Sequence, residues 1–171
     1  MAVYCIVKPR VRRVVLVRLI GEDDKDFLVS ESHRILKPSG IVICVNCDWD
    51  SVAYNGEKKD LIAKAIHTYA VTKLPWMDDF DSWIGRRMYG FFNRSNLFES
   101  YVNIHNIVET EYAEGTFEYT LTQDIAWLHE ENTEVLSKVV DNEFIENLKS
   151  AQKDGRYVFS KPYYIYKGVR I

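Results

Sequence analysis

The chain has few residues of the kinds that mark metal or redox sites. Among its 171 residues are three cysteines and four histidines, and the scattered histidines form no ligand-spaced pair. Cys44 and Cys47 have the C-x-x-C spacing of redox or metal sites, but no second cysteine pair completes a zinc site. Strand alternation would also point them to opposite faces. We therefore expect no metal site and interpret both as free, buried thiols in a reducing compartment.

Excess charge and long apolar runs are also missing. The net charge is -3, which predicts no strong attraction to nucleic acid or anionic lipid. A basic cluster near the N-terminus either binds phosphate or is a solvated segment: Lys8, Arg10, Arg12, Arg13 and Arg18. The apolar run 14–20 is too short to span a bilayer, and no signal-peptide layout precedes it. We expect a cytoplasmic protein that binds neither nucleic acid nor membranes.

What the chain does contain is the pattern of an α/β domain. Apolar residues make up 47% and charged residues 27%, which is typical of one globular domain. Residues 41–45 are wholly apolar and predict a strand buried on both faces of a parallel sheet. A predicted helix over 25–36 and the turn K-P-S-G precede that strand, as in the second half of a βαβ unit. Ligands bind beyond the carboxyl ends of such strands, so 46–50 is the best-placed polar segment.

The other elements follow from periodicity and turn residues. Residues 98–111 predict a strand whose better-buried face carries Val102, Ile104, Asn106 and Val108. The final strand, 156–170, contains Pro162, which predicts a bulge or an edge position. Two further strands are predicted over 2–7 and 14–20. Helices are predicted over 57–74, 116–128, 133–140 and 141–154, and a further helix is expected to run from a cap at Ser82 to about residue 94.

Three segments resemble motifs of class I S-adenosylmethionine-dependent methyltransferases. E-S-H-R-I-L-K-P-S-G-I-V-I-C, residues 31–44, resembles that family's E-x-x-R-V-L-K-P-G-G helix, turn and strand. D-W-D-S at 48–51 resembles the end of the same strand in a subset that acts on small molecules. W-I-G-R-R-M at 83–88 resembles the start of that subset's next helix. The resemblance covers roughly residues 25–171.

The resemblance implies a three-layer α/β sandwich with part of the Rossmann-like methyltransferase sheet. In it, 98–111 and 156–170 would be the antiparallel terminal strand pair, and 115–155 the helical insert between them. We expect a single domain over 1–171, in which 25–171 form the C-terminal half and 1–24 are atypical. The run 2–6 resembles the family's fourth strand, whereas 8–20 departs from the family pattern.

Members of the family bind S-adenosylmethionine through a glycine-rich loop after the first strand and an acidic residue at the end of the second strand. Neither feature precedes residue 25, and Gly21 is the first glycine of the chain. The chain therefore looks like a truncated remnant whose cofactor-binding residues are unknown. We expect it to bind S-adenosylmethionine weakly or not at all when alone.

The implied function is methyl transfer to an unidentified small molecule. Asp48 and Asp50 are the candidate catalytic residues, because a carboxylate can position or deprotonate the nucleophile; helix capping and solvation are the alternative. Arg86 and Arg87 either bind an anionic substrate or pair with one of these aspartates. Aromatic residues that either line the substrate pocket or pack in the core are Trp49, Trp76, Trp83 and Tyr89.

A non-catalytic role is the alternative. Loss of the family's first three strands leaves the edge of the fourth open, and an open edge recruits another strand. Residues 14–20 would cover that edge within the chain, or a second copy would cover it and form a homodimer. The chain would then serve as an oligomerising or partner-binding module derived from a methyltransferase.

Overall fold

The computed structural model describes residues 3–6, 14–17, 25–73, 80–131 and 138–171. These residues form a mixed α/β structure with an open, mostly antiparallel sheet. Its strands are β1 (Val3–Ile6), β2 (Val14–Val17), β3 (Ile41–Cys47), β4 (Ala53–Tyr54), β5 (Phe98–Glu109) and β6 (Phe159–Arg170). Its helices are α1 (Lys25–Ile35), α2 (Lys59–Val71), α3 (Ile84–Ser95), α4 (Phe117–Glu131) and α5 (Lys138–Lys153).

The turn between α1 and β3 has the conformation that its sequence predicts. Ser39 has a φ of 60°, and the Gly40 amide donates to the Lys37 carbonyl at 2.7 Å. A Cβ on Gly40 would lie 2.7 Å from that same carbonyl oxygen, so only glycine fits without a shift of the backbone. The K-P-S-G turn therefore delivers the chain directly from the end of α1 into β3.

Strand β3 is an inner strand, but the prediction of a strand buried on both faces of a parallel sheet is wrong. The sheet is mostly antiparallel, and Ile41, Ile43 and Val45 on one face of β3 are only partly buried. It pairs parallel with β2, from Val14 opposite Ile41 to Val17 opposite Cys44. It pairs antiparallel with β6, from Ile41 opposite Val169 to Cys47 opposite Tyr163. The strand beside β3 is thus β2, whereas the family resemblance had matched residues 2–6 to the strand preceding α1. Strand β1 instead pairs antiparallel with β2, on the side of β2 that faces away from β3.

The described residues form two compact units. The first lies within 1–48, 73–105 and 162–171, and in it α3 packs against β3 and α1. Its buried core includes Leu28, Leu36, Val42, Met88, Phe92 and Tyr166. The second lies within 49–72 and 106–161 and contains α2, α4, α5 and the pairing of β4 with the start of β6. Its buried core includes Tyr54, Ile62, Ala65, Leu121, Phe144 and Phe159.

Two predictions about the later elements are wrong. The face of β5 that was expected to be buried is open: Val102, Ile104 and Val108 are 47% to 58% exposed, and Asn106 is exposed as well. The alternation of β5 is that of a strand, but within the described residues its pairing partner is β6 alone, so no packed layer uses that face. Residues 138–153 form one helix rather than parts of two, and residues 132–137 lie outside the described residues.

Pro162 was expected to mark a bulge or an edge position, but β6 runs unbroken from Phe159 to Arg170 and pairs with β3, β4 and β5, so it is not an edge strand. The register of β6 with β3 ends at Tyr163, and the register with β4 covers Phe159 and Ser160. The Pro162 carbonyl accepts from the Asp48 amide at 3.4 Å. Among the described residues, no helix is both long and apolar enough to cross a membrane.

The cysteines of β3 are free and buried, as predicted. Burial raises the pKa of the Cys44 thiol from 9.0 to about 12. Because the folded pKa exceeds the unfolded one, this thiol contributes stability that is present below about pH 9 and is lost as the pH rises toward the folded value.

We expect Cys44 to react with a thiol reagent at neutral pH only after unfolding, because the thiolate is the nucleophile and this thiol stays protonated and buried. The measurement is the labelling rate in a chain carrying Cys5→Ser and Cys47→Ser, so that Cys44 is the only thiol. The same chain in urea is the control. Labelling of the folded chain at the rate of the unfolded one would show that Cys44 is accessible.

Candidate functional site

The end of β3 is held in close contact with α3 within the first unit. The Asn46 amide lies 3.2 Å from the Met88 sulfur, and both side chains are buried. A Cβ on Gly85 would lie 2.9 Å from the Cys47 carbonyl oxygen and 3.1 Å from that of Asn46. Glycine in W-I-G-R-R-M is therefore required for the first turn of α3 to approach the backbone of β3 this closely.

Asp48 and Arg86 form the predicted ion pair at this point. The Asp48 carboxylate is fully buried, and the Arg86 guanidinium donates to both of its oxygens: Nη2 to Oδ1 at 2.8 Å and Nε to Oδ2. This bidentate geometry is the strongest that a guanidinium and a carboxylate make. Since both carboxylate oxygens accept from Arg86, the geometry supports Asp48 as the residue that positions the strand end, and a catalytic role for it stays a prediction.

The start of α3 is fastened by a second aspartate. Asp81 accepts from the Trp83 amide at 2.9 Å and from Arg87 Nη1 at 2.9 Å. The guanidiniums of Arg86 and Arg87 lie 4.6 Å and 5.3 Å from the centroid of the Trp83 ring. Ser82 was predicted to cap this helix, but the N-cap is Trp83, and the side chain that binds a terminal amide is that of Asp81. This hydrogen bond is an Asx turn that precedes the helix, and no side chain caps the first helical amides.

In the second unit, Asp50 forms a hydrogen-bonded pair with a histidine. Residues 49–51 make one turn of 3-10 helix, and His67 of α2 lies with Nδ1 3.1 Å from Asp50 Oδ1. An ionised carboxylate only accepts, so Nδ1 carries the proton and Nε2 keeps its lone pair when the ring is neutral. The His67 side chain is 67% exposed, so a small molecule in solution can reach it.

Trp49 packs against the core of the second unit. Its ring meets Tyr69 edge to face with centroids 5.5 Å apart, and the Lys161 ammonium lies 3.9 Å from its centroid. Phe117, the first residue of α4, contacts the same ammonium from 4.0 Å. Trp49 is thus both a packing residue and part of the surroundings of a buried cation.

The remaining predicted pocket residues are placed differently. Trp83 and Tyr89 of the first unit are both partly exposed. Both arginine guanidiniums lie against the Trp83 ring, Arg86 pairs with Asp48, and Arg87 pairs with Asp81, while a substrate-binding role for these three residues stays a prediction. Trp76 lies outside the described residues.

Sequence reasoning missed three polar side chains of the second unit: His67, Lys161 and Glu118. His67 lies 17 residues from Asp50, and no motif spacing joins them. Lys161 and Glu118 are fully buried, and neither Glu118 carboxylate oxygen has a hydrogen-bond partner among the described residues. A lysine in a strand and a glutamate in the first turn of a helix normally lie at the surface, so the sequence carried no signal for either.

The residues present do not fit the methyltransferase cofactor as a complete site. The two acidic side chains that follow β3 are engaged, Asp48 by Arg86 and Asp50 by His67. The described residues also contain no group of three or more metal-ligating side chains. The geometry supports acid–base and substrate-positioning chemistry, and no step through the cofactor is derived from it.

No protein-family model and no curated protein sequence matches the chain. A functional assignment therefore rests on the motifs, the sheet and the side-chain geometry described above.

We expect Arg86→Met to destabilise the chain by about 3 kcal/mol, because it leaves the Asp48 carboxylate buried without its partner. The value lies at the lower end of the range for buried pairs because Arg86 itself is 35% exposed and water can partly replace it. The measurement is the urea unfolding midpoint.

Arg87→Met is the matched control, since the neighbouring arginine also stacks on Trp83 but pairs with a less buried aspartate. Its expected cost is below about 1 kcal/mol. An equal loss of unfolding free energy in the two variants would show that the pair with Asp48 contributes no more to stability than the pair with Asp81.

Proposed function

We propose that the chain supplies the acceptor side of an S-adenosylmethionine-dependent methyl transfer to a small molecule. The observation that carries the proposal is the pairing of the inner strand. β3 lies between the parallel strand β2 and the antiparallel strand β6, and β6 also pairs with β5. The motifs implied a parallel pair joined through a helix, followed by two terminal strands; here β2, and not residues 2–6, is the first strand of the parallel pair. The D-W-D-S segment follows the carboxyl end of β3, where such sheets bind ligands.

The acid–base group of this proposal is His67, oriented by Asp50. Displacement of a methyl group requires a nucleophile that has lost its proton, and a neutral imidazole near pH 7 is the usual acceptor of that proton. Asp50 holds Nδ1 in its protonated form, so Nε2 faces outward as the base. The exposure of His67 gives the acceptor a path to this nitrogen. Asp50, one of the two predicted catalytic residues, then acts as the positioning residue for His67.

The Asp48–Arg86 pair has a structural role within the first unit. Arg86 donates to both oxygens of the Asp48 carboxylate and so holds the end of β3 against the start of α3. The acid–base chemistry of the proposal is assigned to the second unit alone.

We expect S-adenosylmethionine to bind the isolated chain in the millimolar range, about -4 kcal/mol, because no glycine-rich loop is present to hold it. Amide resonances of residues 46–51 are expected to shift during a titration followed by nuclear magnetic resonance, and Asp50→Asn is expected to reduce the shift at residue 50. Micromolar affinity would contradict the weak-binding expectation. An absence of shifts at 46–51 would contradict the proposed site.

A second candidate function, an oligomerising module, is favoured by β5. Between Glu99 and Glu109 this strand has no formally charged residue, no proline and no glycine, and its β-branched side chains are about half exposed. Natural edge strands are normally protected by lysine, proline or a bulge. The open edge was expected at the strand matched to residues 2–6, and there β1 pairs antiparallel with β2, residues 14–17. A second copy pairing antiparallel through β5 about Asn103 would place Val102 opposite Ile104 and bring no two glutamates face to face.

For this candidate, wild-type chain is expected to sediment as a dimer at micromolar concentration, and Ile104→Lys as a monomer, because a lysine on an edge strand prevents a further strand from pairing. Phe27→Lys, at an exposed position of α1, is the control and should leave the dimer intact. A monomeric wild type would exclude the dimer, and equal dissociation by both variants would exclude β5 as the interface.

A further inference from the structure

One exposed face of α2 carries a lysine beside the proposed base. His67 lies three residues after Lys64 and four residues after Ala63, and all three side chains are exposed. Positions at these spacings are neighbours on a helix surface, with Cβ atoms about 5–6 Å apart. The three residues therefore form a triangle on the surface of the second unit, and the ammonium of Lys64 can reach a molecule that is bound at His67.

The Lys64 charge is not used by the described part of the chain. Lys64 makes no ion pair, hydrogen bond or ring contact there, and none joins it to Asp60, one turn earlier in α2. Other cations of the second unit do pair with carboxylates, namely Lys58, Lys149 and Arg156. The Lys64 ammonium is thus available to an anion from solution.

The third corner of the triangle leaves space beside the other two. Ala63 carries only a methyl group, so no long side chain covers the surface between Lys64 and His67. Asp50 accepts from Nδ1 of His67, which leaves Nε2 as the nitrogen that a ligand can approach. A small carbon skeleton beside Ala63 can therefore join an anionic group at Lys64 to a hydroxyl group at Nε2.

We propose that the acceptor is a small molecule with an anionic group in addition to its neutral nucleophile, and that Lys64 selects it by binding that anionic group. The inference rests on the proposed function, because His67 is the base in it. Lys64 is a positioning residue: it holds one end of the acceptor while the hydroxyl group at the other end donates to Nε2. The acceptor class is therefore a small hydroxy acid rather than a neutral alcohol or an amine.

The test measures binding to the full chain by nuclear magnetic resonance. The probe is para-hydroxybenzoate, and para-hydroxybenzamide is the neutral control with the same ring and hydroxyl group. The readout is the ring C–H resonance of His67, assigned by its loss in His67→Gln. The pH is about 8, where an imidazole is neutral and does not itself attract the carboxylate. The salt concentration is about 0.1 M, which largely screens charges more than about 10 Å apart.

The probe is expected to shift the His67 resonance and to bind about threefold more tightly than the amide, the ratio that one exposed ion pair provides. Lys64→Met is expected to remove this preference, and Lys64→Arg, which keeps the charge, to retain it. Lys59→Met is the matched control: it removes the same charge from the same helix, but Lys59 lies eight residues from His67, about 12 Å along the axis. It should leave the preference unchanged.

Three results would each overturn the inference. They are a His67 resonance that does not respond to para-hydroxybenzoate, equal affinities for the acid and the amide in the wild type, and equal effects of Lys64→Met and Lys59→Met. The comparison of the two ligands in the wild type needs no substitution, so it decides the matter even if a variant does not fold.

Failure of this inference and failure of the proposed function give different results, because binding of S-adenosylmethionine is measured separately at 46–51. Shifts at 46–51 without a preference for the acid would overturn the role of Lys64 alone. A preference for the acid that depends on Lys64, without shifts at 46–51, would support the anion site and contradict methyl transfer.

Discussion

The bidentate pair between Asp48 and Arg86 is the interaction on which the end of β3 and the start of α3 depend in the first unit. A fully buried carboxylate is stable only when a positive charge and well-aligned hydrogen bonds compensate for the loss of water. The Arg86 guanidinium provides the charge and donates to both carboxylate oxygens of Asp48. The pair requires α3 to lie directly against the end of β3, and Gly85 makes that approach possible. The same approach places Trp83 beside both arginines. The buried Asp48 carboxylate therefore requires the first turn of α3, which carries Arg86, to lie against the end of β3.

The residues that immediately follow Asp48 carry the chemistry of the second unit. Asp50 orients His67, and Trp49 contacts the buried ammonium of Lys161. In both cases a residue of the D-W-D-S segment meets a side chain of opposite or complementary character from a distant part of the sequence. The two contacts differ in kind: Asp50 makes a hydrogen bond, and Trp49 makes a cation–π contact.

The limits of sequence-based prediction are visible in particular elements. The K-P-S-G turn, α1 and β3 were predicted correctly because turn chemistry and apolar runs are local signals. The pairing of Arg86 with Asp48 was anticipated because both residues belong to recognisable motifs at the carboxyl end of one strand. The open face of β5 was not, since alternation shows that a strand has two different faces and does not show whether another layer covers either. The cap of α3 was wrongly assigned to Ser82 for a similar reason: Ser82 and Asp81 both favour a turn before a helix, and the structure begins the helix after Trp83 with Asp81 bonded to the Trp83 amide.

The sequence by itself determined where most helices and strands lie, that Cys44 and Cys47 are buried in a strand, and that the polar segment 46–51 follows an inner strand of the sheet. Only the tertiary structure decided which charges meet. In the folded chain β2 rather than β1 lies beside β3. Asp50 is hydrogen-bonded to His67, and the Lys161 ammonium lies close to the rings of Trp49 and Phe117. The physical reason is that periodicity and turn chemistry act over a few residues, whereas the burial of a charge depends on groups that folding brings from far along the chain.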